Sequence, residues 1–228
     1  MTAGRPVVAA FDFDGTLTSG GSVLPFLAFA RGRGRMALEV LRRLPAFARA
    51  GLFGGTAADE VKEELFSRLL AGMPVSDAQR LGEEFAARHL GRRLRRDTRA
   101  RLEWHRKQGH TVVLISASPE IYVKPAAALL GADAALATRL AVGGDLLTGR
   151  YEGRNCRGAE KYARLTAWLY AEGLGAARPE LWAYGNSRGD LRLLGAADHG
   201  VDAGRLGRFG RLRRFPPLAA VTASEAPA

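Results

Sequence analysis

The 228-residue sequence is poor in the residues that staple small proteins and hold soft metals: it has one cysteine and four histidines. Cys156 has no partner in the chain for a disulfide and belongs to no cysteine cluster of the kind zinc or iron–sulfur requires. His89, His105, His110 and His199 lie too far apart for a local ligand motif. No apolar run approaches the ~18 residues a membrane helix needs; the longest, Val23 to Ala30, carries Pro25. Near the start, Asp12 interrupts the only apolar run, so there is no secretory h-region and a cytoplasmic protein is expected. Lysine is also scarce, four against thirty arginines, so nearly all of the +11 net charge is carried by guanidinium groups.

That charge is clustered. Residues 31–50, 88–107 and 204–214 hold most of the arginines, while the rest of the chain is acidic. Clusters of this kind suit an anionic partner, or are simply solvated helix faces. No aromatic-interleaved RNA motif or zinc-finger spacing accompanies them, which argues against nucleic acid. The Arg-bearing segments 35–49 and 204–215 are amphipathic and suit peripheral contact with an anionic membrane. Hydrophobic residues at 47% and charged residues at 25% give ordinary globular composition, and the length suits one domain with a sizeable insertion.

Short apolar runs at 7–11, 111–115 and 181–184 read as buried strands, with 134–138 a further one and Gly143-Gly144-Asp145 a turn between short segments that can pair as a hairpin. From Leu24 to about Gly91 the pattern is helical. Leu38, Leu41, Leu44 and Phe47 share one face, Pro45 should kink or end that helix, and Ser76-Asp77 reads as an N-cap. Thr98–Lys107, Pro119–Leu130 and Glu160–Tyr170 are further helices. The expected architecture is α/β, a Rossmann-like parallel sheet with an inserted helical cap. Residues 1–20 and 98–215 form the core, 21–97 the cap and 216–228 a flexible tail.

Polar clusters follow three of the strands: Asp12/Asp14, Ser116 and Asn186/Asp190. The carboxyl ends of neighbouring parallel strands open into one crevice, so groups distant in sequence converge there. Taken singly, an aspartate after a strand can cap a turn and Ser116 can cap the helix at Pro119. Two carboxylates bracketing Phe13 repel each other unless a cation lies between them.

The run Asp12-Phe13-Asp14-Gly15-Thr16-Leu17-Thr18 resembles the first motif of the haloacid dehalogenase superfamily. Ile115-Ser116-Ala117-Ser118 resembles the second, Lys161 the third and Gly185 to Asp190 the fourth; the helical insert resembles the phosphoserine-phosphatase-like branch (subfamily IB). The resemblance implies a Mg²⁺-dependent phosphatase acting on a small phosphomonoester. In it, Asp12 is the nucleophile and Asp14 the general acid–base. Ser116, Ala117 and Lys161 hold the phosphate, and Lys161 also assists catalysis. Asp12, the Asp14 carbonyl, Asn186 and Asp190 hold the metal. The family commonly has aspartate where Asn186 stands, so Asp190 is the expected anionic ligand of that loop, with Asn186 assisting. A weakly active or inactive protein that binds an anion, a membrane or nucleic acid is the alternative. Dehalogenases typically lack the second aspartate, so Asp14 favours a phosphatase. Phosphonate hydrolysis generally involves a cap lysine, and Lys62 is the only lysine in that block. The segment Thr18–Ser22 lacks the acidic residue that would pair with the ammonium of phosphoserine, so phosphoserine is not the expected substrate.

Overall fold

The computed structural model describes residues 5–46, 48, 56–204 and 210–219. Five parallel strands form the core sheet in the order β3-β2-β1-β6-β7: β1 (Val7–Phe11), β2 (Thr111–Pro119), β3 (Ala134–Thr138), β6 (Glu180–Gly185) and β7 (His199–Asp202). An antiparallel hairpin, β4 (Leu140–Gly143) and β5 (Leu146–Tyr151), stands apart from it. The central strands are apolar on both faces because helices cover both. Val8, Ala10, Val113, Ile115 and Ala183 pack toward α7 (Ala159–Ala171) and α8 (Leu191–Ala196). Ala9, Phe11, Val112 and Leu114 pack toward α5 (Arg96–Lys107) and α6 (Glu120–Leu130). Strand alternation splits one run of apolar residues between two cores.

Between β1 and α5 lie α1 (Val23–Arg31), α2 (Arg33–Leu41), α3 (Thr56–Leu70) and α4 (Val75–Arg93). Helix α4 packs on α6 through a line of small buried residues, Ala78, Gly82 and Ala86. A Cβ on Gly82 would stand 2.1 Å from the Ile121 carbonyl oxygen, so glycine is what lets the helices approach this closely. The hairpin leans on α3, where Gly149 (φ +75°) lies against the Phe66–Ser67 backbone.

Several local expectations are corrected. Helix α4 starts at Val75 with Pro74 at its N-cap, so Ser76-Asp77 lies inside the first turn and caps nothing. Pro119 likewise holds the N-cap of α6, and the Ser116 hydroxyl instead accepts the Ser118 N–H at 3.0 Å. Leu38, Leu41 and Leu44 do not face the core; they are exposed, and Met36 and Val40 make the inward contacts. Phe47 lies outside the described residues. The chain also stays packed beyond 215: Leu218 is buried and the Asp202 N–H donates to the Pro216 carbonyl, while 220–228 lie outside the described residues. Phe11 pairs with both Leu114 and Tyr184, so Asp12, the last residues of β2 and the residues after β6 come to the same edge of the sheet.

Candidate active site

Asp12 follows β1 directly, its N–H donating to the Tyr184 carbonyl at 2.9 Å. This bond fixes the turn and aims the buried carboxylate into the crevice. Lys161, in the first turn of α7 and almost fully buried, donates to Asp12 Oδ1 and to Asp190 Oδ1, each at 2.6 Å. A helix N-terminus opposes a cation, and two carboxylates offset that cost. Burial works against the ammonium, but the two neighbouring charges hold its pKa above the ordinary lysine value.

The same lysine serves two carboxylates unequally. Burial raises the Asp12 pKa, the Asp190 charge raises it further, and Lys161 only partly compensates. Asp190 is equally buried, yet its pKa is lowered, because Lys161 and the Ser187 donors outweigh burial. Its Oδ2 accepts from Ser187 Oγ at 2.7 Å, the Ser187 N–H at 2.9 Å and the Asn186 N–H at 3.2 Å. Asp190 therefore shapes its own loop and anchors Lys161, with both oxygens engaged.

Asn186 occupies the position that faces the first motif. One polar atom of its carboxamide lies 3.2 Å from Asp12 Oδ2, 3.1 Å from the Asp14 carbonyl oxygen and 3.3 Å from Thr16 Oγ1. With nothing between them, that atom must be the amide nitrogen, because two of these neighbours can only accept. With a cation among them it is the oxygen. A carboxylate, a main-chain carbonyl and an amide oxygen are hard ligands of the kind Mg²⁺ takes. Asp12 and Asp190 bring two buried carboxylates against the single Lys161 ammonium, and a divalent cation would balance that excess. The residues present thus fit the ion. Among the described residues no three His, Cys, Asp or Glu side chains cluster to hold a metal, in keeping with a set that relies on an amide and a carbonyl. Gly15 (φ +80°) makes the turn possible: a Cβ there would stand 2.1 Å from the other polar atom of the Asn186 carboxamide. Arg95, buried, donates to the Gly15 and Ala203 carbonyls at 2.6 Å each and holds this loop from behind.

Asp14 carries its side chain away from Lys161 into a hydroxyl cluster. Its Oδ2 accepts from Ser118 Oγ at 2.5 Å and Ser22 Oγ at 2.9 Å, and Ser22 Oγ lies 2.9 Å from Tyr122 Oη. Its Oδ1 is buried and has no protein partner. Burial raises the Asp14 pKa, and the two serine bonds only moderate the shift. Ser116 is buried at the end of β2 beside Ala117. The Ala117 carbonyl accepts from Lys62 Nζ at 2.8 Å and Thr138 Oγ1 at 2.7 Å. Lys62, reaching in from α3, also donates to Asn155 Oδ1 at 2.8 Å, and burial brings its pKa down to about 8.

The structure thus gathers Asp12, Asp14, Ser116, Ala117, Lys161, Asn186 and Asp190 around one crevice. Sequence reasoning missed Thr16, Ser22, Ser118, Tyr122 and Asn155. Thr16 and Ser118 lie within the quoted motifs, but the only sequence signal for Ser22 was its place just after the first one. Phe26 and Leu27 are wholly buried core residues, and of the apolar start of α1 Leu24 stays at the surface.

A family model described as haloacid dehalogenase-like hydrolase matches residues 9–195. The sequence is 35% identical over 195 residues to Protein CicA of Caulobacter vibrioides, covering 85% of this chain and 84% of that protein. It is 30% identical over 194 residues to phosphoserine phosphatase SerB1 of Mycobacterium tuberculosis, covering 82% of this chain and 61% of that one. A solved protein of unknown function from Bordetella pertussis Tohama I superposes with a TM-score of 0.80 at 24% identity, covering 93% of this chain and 98% of that one. A phospho-aspartyl intermediate analogue of phosphoserine phosphatase gives 0.64 at 18% identity, covering 96% and 99%. At these identities the two structures share the fold.

Proposed function

The chain belongs to the haloacid dehalogenase-like hydrolase family, and from that premise we propose that it is a Mg²⁺-dependent phosphomonoesterase working through an aspartyl-phosphate on Asp12. The observation that carries this reading is the meeting of Asp12 Oδ2, the Asp14 carbonyl and the Asn186 amide on one side of Asp12, with Lys161 on the other. Asp12, the Asp14 carbonyl and Asn186 would hold the ion, which when bound neutralises phosphoryl oxygens and the crowded carboxylates. With Oδ2 turned that way, Oδ1 attacks phosphorus as the bond to the leaving oxygen breaks. Lys161 orients Oδ1 and offsets the negative charge gathering around it. Asp14 passes a proton from its unpartnered Oδ1 to the leaving oxygen, then takes one from the water that releases phosphate. Its raised pKa suits an acid that must be protonated when the ester arrives.

The substrate is a small or lipid-like phosphomonoester other than phosphoserine. A buried amino-acid substrate needs a carboxylate for its ammonium. Thr18–Ser22 supplies none, and the Ser22 hydroxyl is already shared among Asp14, Ser118 and Tyr122. Assays of phosphoserine against lipid, isoprenoid, sugar and nucleotide monophosphates test both parts. Turnover is expected with Mg²⁺, lost in chelator and in Asp12→Asn, and lowest for phosphoserine. Full activity of Asp12→Asn would refute the mechanism, and phosphoserine emerging with the highest kcat/KM would refute the substrate class.

A further inference from the structure

Helix α2 turns outward the face that its sequence periodicity would turn inward. Met36, Val40 and the Glu39–Arg43–Glu64 ion pairs occupy the inner side. Leu38, Leu41 and, just beyond the helix, Leu44 are 45%, 61% and 52% exposed. Nine large apolar side chains stand exposed among the described residues, and four of them, Leu24, Leu38, Leu41 and Leu44, fall in this one stretch. Arg33, Arg35 and Arg42 are exposed around them. Between Asp14 and Asp59 the sequence holds a single acid, Glu39, whose carboxylate is largely covered and bonded to both Arg42 and Arg43. Among the described residues Arg33 and Arg35 have no carboxylate partner.

We propose that this face, Leu38, Leu41 and Leu44 with Arg33, Arg35 and Arg42, docks the protein on an anionic lipid surface. Two independent features choose that partner. Leucines gain from entering an acyl boundary but gain nothing from a nucleic-acid backbone, and guanidinium groups gain from anionic headgroups. A second copy of this chain packed face to face would bring Arg33, Arg35 and Arg42 against one another, which like charges oppose. The attachment is peripheral, since no helix among the described residues is long and apolar enough to cross a membrane. The face lies on the chain that leaves the crevice: Ser22, bonded to Asp14, immediately precedes α1, and α2 follows it. The inference does not depend on the phosphatase reading, because binding needs no turnover.

Co-sedimentation of the full chain with vesicles of phosphatidylcholine alone, and of phosphatidylcholine mixed equally with phosphatidylglycerol, tests it. Binding to the mixed vesicles only, weakening as salt is raised, is expected. Leu38→Ser/Leu41→Ser should cut vesicle affinity by roughly tenfold or more, and Arg33→Ser/Arg35→Ser by roughly tenfold. Leu129→Ser and Tyr170→Ser, exposed elsewhere, should bind as the wild type does. Leu41→Trp should blue-shift its fluorescence on adding mixed vesicles, which reports insertion without relying on loss of binding. Equal binding to both vesicle types, or face variants that bind as the wild type does, would overturn the proposal. So would conversion of a dimer to a monomer by the leucine variant. Binding to an oligonucleotide that depends on the arginines but not the leucines would overturn it too.

Discussion

Asp14 is held where its charge is disfavoured: burial raises its pKa although two serine hydroxyls donate to it, and its Oδ1 has no partner. A folded pKa above the unfolded one means that the native state binds the proton more tightly. The stability this carboxyl contributes is therefore fully present below its unfolded pKa and lost as pH rises through the folded one. In the metal-free protein near neutral pH, Asp14→Asn should raise Tm, by about 2–4 °C for each kcal/mol relieved in a chain of this size. The difference should shrink as the pH falls toward about 4. Calorimetry in chelator reads this directly, and a variant that melts no higher than the wild type at neutral pH would contradict it. The same substitution should slow turnover by roughly 10²- to 10⁴-fold. In the proposed metal set Asn186 would be a neutral ligand, so Asn186→Asp should lower the Mg²⁺ concentration for half-maximal rate by roughly an order of magnitude. Asp190→Asn should move that midpoint less and lower kcat, because its oxygens serve Lys161 and the loop. The paired aspartates were legible because their place at a strand end makes their repulsion conspicuous. The bonds from Asp190 to Lys161 and to its own loop were not legible, because a charge count cannot show what each oxygen touches.

At the scale of elements, the strands were legible and the helix orientations were not. An apolar run such as Val7–Phe11 has one stable home, a strand covered on both faces, so its burial follows from its sequence. A helical period shows which residues share a face, not whether that face meets the core or solvent. In α2 the leucine face lost the inner side to Met36, Val40 and an Arg43 bonded to Glu39 and Glu64. Close helix packing is likewise invisible until the partner is placed. By propensity alone a mid-helix glycine such as Gly82 is a weakness, yet Ile121 O would stand 2.1 Å from a Cβ there. Gly82→Ala should therefore destabilise the fold by about 1–3 kcal/mol through overpacking, although alanine is the better helix former. Denaturant unfolding measures this, and a variant of equal or greater stability would show that α4 and α6 can separate freely.

Over the whole molecule, the first-motif loop, the end of β2 at Ser116–Ser118, the start of α7 and the fourth-motif loop close on one point, and α3 reaches it through Lys62. In the proposed mechanism Asp12 would supply the nucleophile and Lys161 the charge balance, and the helices between β1 and α5 would meet the substrate's remaining body. Composition alone did not separate an anionic partner from plainly solvated helix faces, since arginine clusters serve either. The Asp12–Lys161–Asp190 line, with Asn186 across from it, is what favours chemistry over binding. Acid quenching during turnover of a competent phosphomonoester with Mg²⁺, followed by intact and peptide mass spectrometry, tests this most directly. The expected result is a fraction of chains heavier by one phosphoryl group, located on Asp12 and absent from Asp12→Asn. Phosphoryl transfer to any other residue, or turnover by Asp12→Asn at the wild-type rate, would contradict it.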